Sequence, residues 1–292
     1  MVERTLAWSP GHISGYFRRC TGPGPVATGS VGGGIVIAEG VTVEAVRSDT
    51  PCVRVMVASP DGRGTTAEGS PPVEYLMNRL RAPAALTTRS TLPIGAGFGL
   101  SAAALLASGA ALSALHGLEL TRDEVAAAAH EAEIRFRTGL GDVAAAQGGG
   151  VVVRRGPGVG AAILRFPSDD PVYAVLFGPI PTPGVLDSDD AMARVRAAFP
   201  AAEPRNLAEL MRASRSFADA SGLVTERVGA ALAACDDAGV PASMTMLGDG
   251  VFAMGPAAED TLAPFGRVRR LHIAAGGFRL LEAGAPPGGD RP

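Results

Sequence analysis

The chain reads as an α+β protein in two parts. Three observations predict this. Val/Ile-rich runs of strand character recur along the chain and alternate unevenly with helical stretches. A glycine-crowded segment at 93–99 runs straight into an Ala- and Leu-rich helix. Pro167-Ser168-Asp169-Asp170-Pro171 breaks the chain near its middle, and beyond it helices mix with antiparallel strands. The expected parts are residues 1–168 and 169–292.

The elements follow in order. Gly34 to Val46 alternates and is rich in Val and Ile, so it reads as a strand, and Cys52 to Ala58 as a second. Pro60 to Pro72 is dense in Gly, Pro, Ser and Asp and reads as a loop. Val73 to Arg81 reads as a short helix and Ala84 to Leu92 as a strand. Leu100 to His116 is a helix stopped by Gly117. Thr121-Arg122-Asp123-Glu124 has the form of a capping box and opens a helix running to about Arg137. Short strands follow at 151–153, 161–166 and 172–177, and helices at 207–220 and 224–238. Further strands are expected at 243–247, 251–254, 268–274 and 278–281, with the last ten residues fraying.

Composition narrows the function classes. The 292 residues are 47% hydrophobic but only 5% aromatic, so the core is built from Ala, Val and Leu. A net charge of −3 leaves no basic footprint for nucleic acid. No apolar run is long enough to span a membrane, and Met1-Val2-Glu3-Arg4 does not open a signal peptide. Cys20, Cys52 and Cys235 are odd in number and scattered, which fits a reduced cytoplasm rather than a disulfide framework or a zinc site. The chain contains no lysine, so any cation it brings to a ligand is arginine, histidine or a metal.

Pro93-Ile94-Gly95-Ala96-Gly97-Phe98-Gly99-Leu100-Ser101-Ala102-Ala103 carries the most chemistry. A helix N-terminus has unpaired N–H groups and a partial positive charge, and glycines let it approach a ligand closely. Together these make a phosphate site. Ser101, in the first turn, is placed to meet the Mg²⁺ that accompanies a nucleotide. No Gly-Lys-Ser/Thr follows, so this is not a Walker loop, and the spacing is wrong for a dinucleotide fingerprint. A glycine turn that merely lets the helix pack closely is the other reading.

This segment resembles the second signature of the GHMP kinase superfamily, Pro-x-x-x-Gly-Leu-Gly-Ser-Ser-Ala-Ala. Phe98 stands for its Leu and Leu100 for its first Ser. Ser9-Pro10-Gly11-His12-Ile13-Ser14-Gly15 is similar to the first signature, and Ala242 to Ala253 resembles the third, with Leu247-Gly248-Asp249-Gly250 in place of Gly-Ser-Gly-Pro. Within the superfamily, the first segment, Thr28-Gly29-Ser30-Val31-Gly32-Gly33-Gly34 and Thr138-Gly139-Leu140-Gly141-Asp142-Val143 resemble the archaeal pantoate kinases. The resemblance implies a ribosomal protein S5 domain 2-like N-terminal domain and a ferredoxin-like C-terminal domain. It implies ATP and Mg²⁺ as cofactors, with pantoate phosphorylated to 4-phosphopantoate on the way to coenzyme A. Another kinase of the superfamily, for homoserine, shikimate or mevalonate, or a non-catalytic regulator that binds a small ligand, are the alternatives. A homodimer is kept open, since the residues do not decide the assembly.

The resemblance also distributes roles. Pro93, Gly95, Ala96, Gly97, Phe98, Gly99, Leu100, Ser101 and Ala102 would wrap the ATP phosphates, with Ser101 and Glu133 as metal ligands. Read without it, Glu133 is an ordinary i,i+4 partner of Arg137, and Glu131 of Arg135; Glu131 is the second candidate for the metal. Asp142, on a tight turn after a helix, is either a backbone-bonding turn residue or, as the resemblance implies, the carboxylate that takes or orients the hydroxyl proton. His12 stands where the family has Lys or Arg and could donate to the γ-phosphate or to the reacting hydroxyl. Ser30, Arg154 and Arg155 are substrate candidates. One of the two arginines would hold the pantoate carboxylate by a forked contact while the other sits on the surface.

Overall fold

The computed structural model describes residues 2–57, 64–179 and 188–284. Two sheets organise the α+β fold. The first is built on a long antiparallel pair, β1 (Arg4–Cys20) with β2 (Gly29–Arg47). Further along lie β3 (Cys52–Val57), β4 (Thr65–Glu68) and β5 (Ala84–Ser90). β5 pairs residues 41–47 of β2, β3 runs parallel to β5, and β4 closes that edge. The other end of β2, residues 32–35, pairs β6 (Val151–Arg154), which pairs β7 (Ile163–Phe166). The second sheet holds β8 (Val172–Pro179), β9 (Ala242–Met244), β10 (Gly248–Met254) and β11 (Arg269–Leu271) in the order β11-β8-β10-β9, all antiparallel. β12 (Arg279–Gly284) crosses back to pair β1 at the edge of the first sheet.

The helices are α1 (Gly24–Ala27), α2 (Pro71–Leu80), α3 (Leu100–His116), α4 (Arg122–Phe136), α5 (Asp142–Ala146), α6 (Asp189–Ala198), α7 (Leu207–Ser221), α8 (Glu226–Asp237) and α9 (Ala258–Leu262). α3 is apolar on all sides because it is enclosed on all sides, by β1 and β2 on one flank and by α2 and α4 on the other. Gly117 ends it in left-handed geometry. At the start of α4, the Thr121 hydroxyl accepts from the Glu124 N–H and the Glu124 carboxylate accepts from the Thr121 N–H. Such a cap stabilises by about 1 kcal/mol.

Several expectations change. The 60–72 loop contains β4 and the first turn of α2; its residues 60–63 lie outside the described residues. The 268–274 strand shortens to β11, after which only Ile273 bridges to Ile37. Of the last ten residues, 283 and 284 finish β12 instead of fraying, and 285–292 lie outside the described residues. The turn holding Asp142 opens α5, with Gly141 as N-cap. α6 was not expected; Ser188 caps it by accepting from the Ala191 N–H.

Candidate active site

The three sequence signatures meet in space. The His12 N–H in β1 donates to the Phe98 carbonyl at 2.8 Å, which fastens the 93–101 loop to the first signature. The Met246 N–H donates to the Ser14 carbonyl at 3.1 Å, which brings in the turn between β9 and β10. The loop and that turn touch so closely that small residues are obligatory. A Cβ on Gly248 would lie 2.2 Å from Ala96 backbone. Gly97 and Gly99 take φ of 81° and 60°, which lets the chain reverse and enter α3. Gly99 is the N-cap and supplies no side-chain acceptor, so the first-turn N–H groups of α3 are left for a ligand.

Beside that N-terminus runs a cavity of about 350 Å³. Val41, Val55, Met56 and Ile94 give it an apolar wall, and Ser101 and Thr138 line it with hydroxyl-bearing side chains. Its apolar wall and the helix N-terminus beside it suit an apolar group joined to an anionic tail.

Next to the loop, four elements deliver a polar cluster. His12 comes from β1, Ser30 from β2, Asp142 from the start of α5 and Arg154 from the end of β6. The His12 Nδ1 is 2.7 Å from Asp142 Oδ1, and its Nε2 is 3.5 Å from Arg154 Nη1. A guanidinium only donates, so Nε2 is the accepting nitrogen and Nδ1–H donates to the carboxylate. His12 is therefore neutral: burial and the Arg154 and Arg165 charges lower its pKa more than Asp142 raises it. Arg154 Nη2 donates to the Ser30 hydroxyl at 3.2 Å. Burial works against the charged form of Asp142, but His12 and Arg154 outweigh it and hold the carboxyl below its usual range. The side chain of Asp142 stays 21% exposed, while that of His12 is sealed.

Glycines clear the volume for this cluster. A Cβ on Gly34 would lie 2.4 Å from His12 Nε2, and one on Gly141 would lie 2.7 Å from Arg154 Nε. A Cβ on Gly33 would instead strike the Tyr16 ring. Neighbouring strand residues face opposite ways, so Tyr16 lies across the sheet from His12.

Glu133 supports the cluster from α4. It is fully buried; its Oε1 accepts from the Asp142 and Val143 N–H groups at 3.1 and 3.3 Å and so caps α5. Its Oε2 meets His130 Nδ1 at 2.9 Å, and His130 Nε2 donates to the Thr28 carbonyl at 3.0 Å. Burial raises the Glu133 pKa, aided by the like charge of Asp142. Burial opposes a charge on His130 too, but Glu133 outweighs it and raises that pKa. Glu131 points elsewhere, to Tyr75 and Arg79, and is not part of the site.

Of the two arginines, only Arg154 joins the cluster. Arg155 makes a forked, half-exposed ion pair with Glu203 at 2.7 and 2.8 Å. It lines, with Tyr16, Arg18 and Arg154 itself, a cavity of about 230 Å³. Reasoning from sequence passed over His130 as a bonding partner; its spacing of three from Glu133 on one helix was the available signal. It also passed over Ser14, whose hydroxyl helps stabilise the Asp142 carboxylate.

The chain is similar to known proteins along most of its length. Residues 72–150 match the GHMP kinases N terminal domain. The chain is 44% identical to the pantoate kinase of Methanospirillum hungatei, covering 96% of this chain and 97% of that one. It is 31% identical to the pantoate kinase of Thermococcus kodakarensis, over 85% and 86% of the two chains. Among solved structures, a phosphotransferase related to the CoA biosynthesis pathway superposes with a TM-score of 0.78 at 24% identity, covering 95% of this chain and 98% of that one.

Proposed function

The chain belongs to the pantoate kinases of the GHMP superfamily, and from that membership we infer that it transfers the γ-phosphoryl group of ATP to the terminal hydroxyl of pantoate. The observation that carries this reading is the contact of the α3 N-terminus and its glycine loop with a buried carboxylate cluster. The loop N–H groups face the phosphates, as helix N-termini do. Asp142 receives the hydroxyl proton as the new O–P bond forms and the bond to the β-phosphate oxygen breaks. The His12 Nδ1–H occupies Oδ1, and the Asp142 side chain keeps the partial exposure it needs to meet substrate. His12 is thus a positioning residue, since neither ring nitrogen is left to touch phosphate. Arg154 and Ser30 receive the pantoate carboxylate. Positioning and charge neutralisation carry most of the rate, because phosphoryl transfer needs little covalent help. We place the reaction in the cytoplasm; no helix among the described residues is long and apolar enough to cross a membrane.

Mg²⁺ is the ion we assign to this site. Ser101 lines the cavity at the first turn of α3, and Glu133, fully buried, has one oxygen, Oε2, with a single partner, His130. Ser101 and Glu133 would hold the ion, which neutralises phosphate charge. Ser101→Ala is expected to raise the Mg²⁺ concentration needed for half-maximal rate without lowering the melting temperature. Glu133→Gln is expected to do both, because Glu133 also caps α5. An Mg²⁺ titration with thermal melts of the two variants checks this; wild-type Mg²⁺ dependence in both contradicts the assignment.

The function itself is tested by ADP release across pantoate, homoserine, shikimate and mevalonate. Turnover is expected with pantoate and Mg²⁺ together. Turnover on another acceptor with none on pantoate overturns the reading.

A further inference from the structure

We propose that the Thr138 hydroxyl is an additional contact for the phosphate oxygens of the nucleotide. The proposal rests on ATP being the phosphoryl donor. Thr138 follows the left-handed Arg137 that ends α4, and its own N–H is used by the Glu133 carbonyl at 3.2 Å. Its hydroxyl has no such employment. Thr138 Oγ1 is shielded from solvent and has no hydrogen-bond partner. A buried hydroxyl left unpaired costs stability, and such atoms in folded proteins call for an explanation. Three other buried side-chain atoms among the described residues share this condition: Ser108 Oγ, Ser243 Oγ and Arg154 Nε. Of the four residues, Thr138 is the one that lines the cavity beside Ser101.

Its place along that cavity selects the anionic end of the ligand. The next residue, Gly139, is so close to the carboxylates that a Cβ there would lie 2.6 Å from Glu133 Oε1 and 2.8 Å from Asp142 Oδ2. Thr138 therefore links the cavity to the transfer site. Thr138 as a whole is only half-buried. A turn about its Cα–Cβ bond exchanges methyl and hydroxyl between staggered positions, which brings the O–H to the cavity without moving backbone. The chain contains no lysine, so no lysine ammonium group cradles the phosphates, and a hydroxyl can share that task with backbone N–H groups, arginine and metal.

Thr138→Val keeps the shape and removes only the hydroxyl, and Thr138→Ser restores it. Thermal melts of the full chain with Mg²⁺ and rising ATP give the ATP Kd without relying on pantoate turnover. We expect Thr138→Val to melt no lower than wild type without ATP, since it discards an unpaired polar group. We expect its ATP Kd to rise roughly 10–150-fold, the range for one hydrogen bond to a charged group. Thr138→Ser should return to within about twofold of wild type, and the pantoate KM should stay unchanged in both. An ATP Kd unaltered in Thr138→Val overturns the proposal, as does a lower melting temperature without ATP, which would give the hydroxyl an internal partner. A wild-type protein that shows no ATP-dependent shift overturns the donor reading instead, and the proposal with it.

Discussion

Asp142→Asn is expected to lower kcat by about 10²–10⁴-fold, the range for loss of a positioned proton acceptor, with ATP still bound. The amide keeps the shape and can still accept from His12 through its oxygen, so α5 and its cap by Glu133 stay in place. What disappears is the negative charge that His12 and Arg154 hold in the ionised form across the neutral pH range. Single-turnover rates with the ATP Kd measured in parallel separate chemistry from binding. A loss of less than about tenfold would make Asp142 a structural residue and leave the hydroxyl to lose its proton late, which a loose transition state allows.

Arg154→Ala should raise the pantoate KM by roughly 10–150-fold, the range for one hydrogen bond to a charged group, and the ATP KM far less. Arg154 is nearly sealed from solvent, and its loss also strips Ser30 and His12 of a partner, so the variant should melt lower than wild type. The diagnostic readout is therefore the ratio of the two KM values in protein shown to be folded. Arg155→Ala provides the contrast. Its ion pair with Glu203 is half-exposed, and such pairs contribute about 0–1 kcal/mol. Neither KM should change more than about twofold. An unchanged pantoate KM in Arg154→Ala would move the carboxylate to another donor.

The parts of this molecule that were legible in its sequence are those decided locally. α3 begins after three glycines and ends at Gly117, and α4 opens on a box of four consecutive residues. The strand β1 was visible only as the motif around Pro10 and Gly11. Its alternation is interrupted by register shifts between Ser9 and Gly11 and between Ser14 and Tyr16, which hide a 17-residue strand from any period-two pattern.

Glu133 shows how a helix end can mislead. Its sequence partner at i+4, Arg137, has left-handed geometry with φ of 53°, so the helix stops before that pairing position, and Glu133 turns inward to cap α5 instead. His12 was open to a phosphate-donating role because its partners are remote, at separations of 130 and 142 residues. Only the folded sheet, with Gly34 and Gly141 leaving room, brings Asp142 and Arg154 to the two ring nitrogens. The choice between Arg154 and Arg155 needed the register of β6 against β2, where Arg154 is paired with Gly32 on the His12 face.

The central claim, direct phosphoryl transfer to a pantoate hydroxyl at the Asp142 cluster, is tested most directly by ³¹P NMR of the complete reaction with its proton couplings. The account predicts one phosphomonoester signal per ADP formed, split by the two protons of the terminal CH₂ of pantoate, and its near-disappearance in Asp142→Asn. ADP accompanied only by inorganic phosphate, or a phosphoester coupled to the single proton of the secondary alcohol, would contradict it.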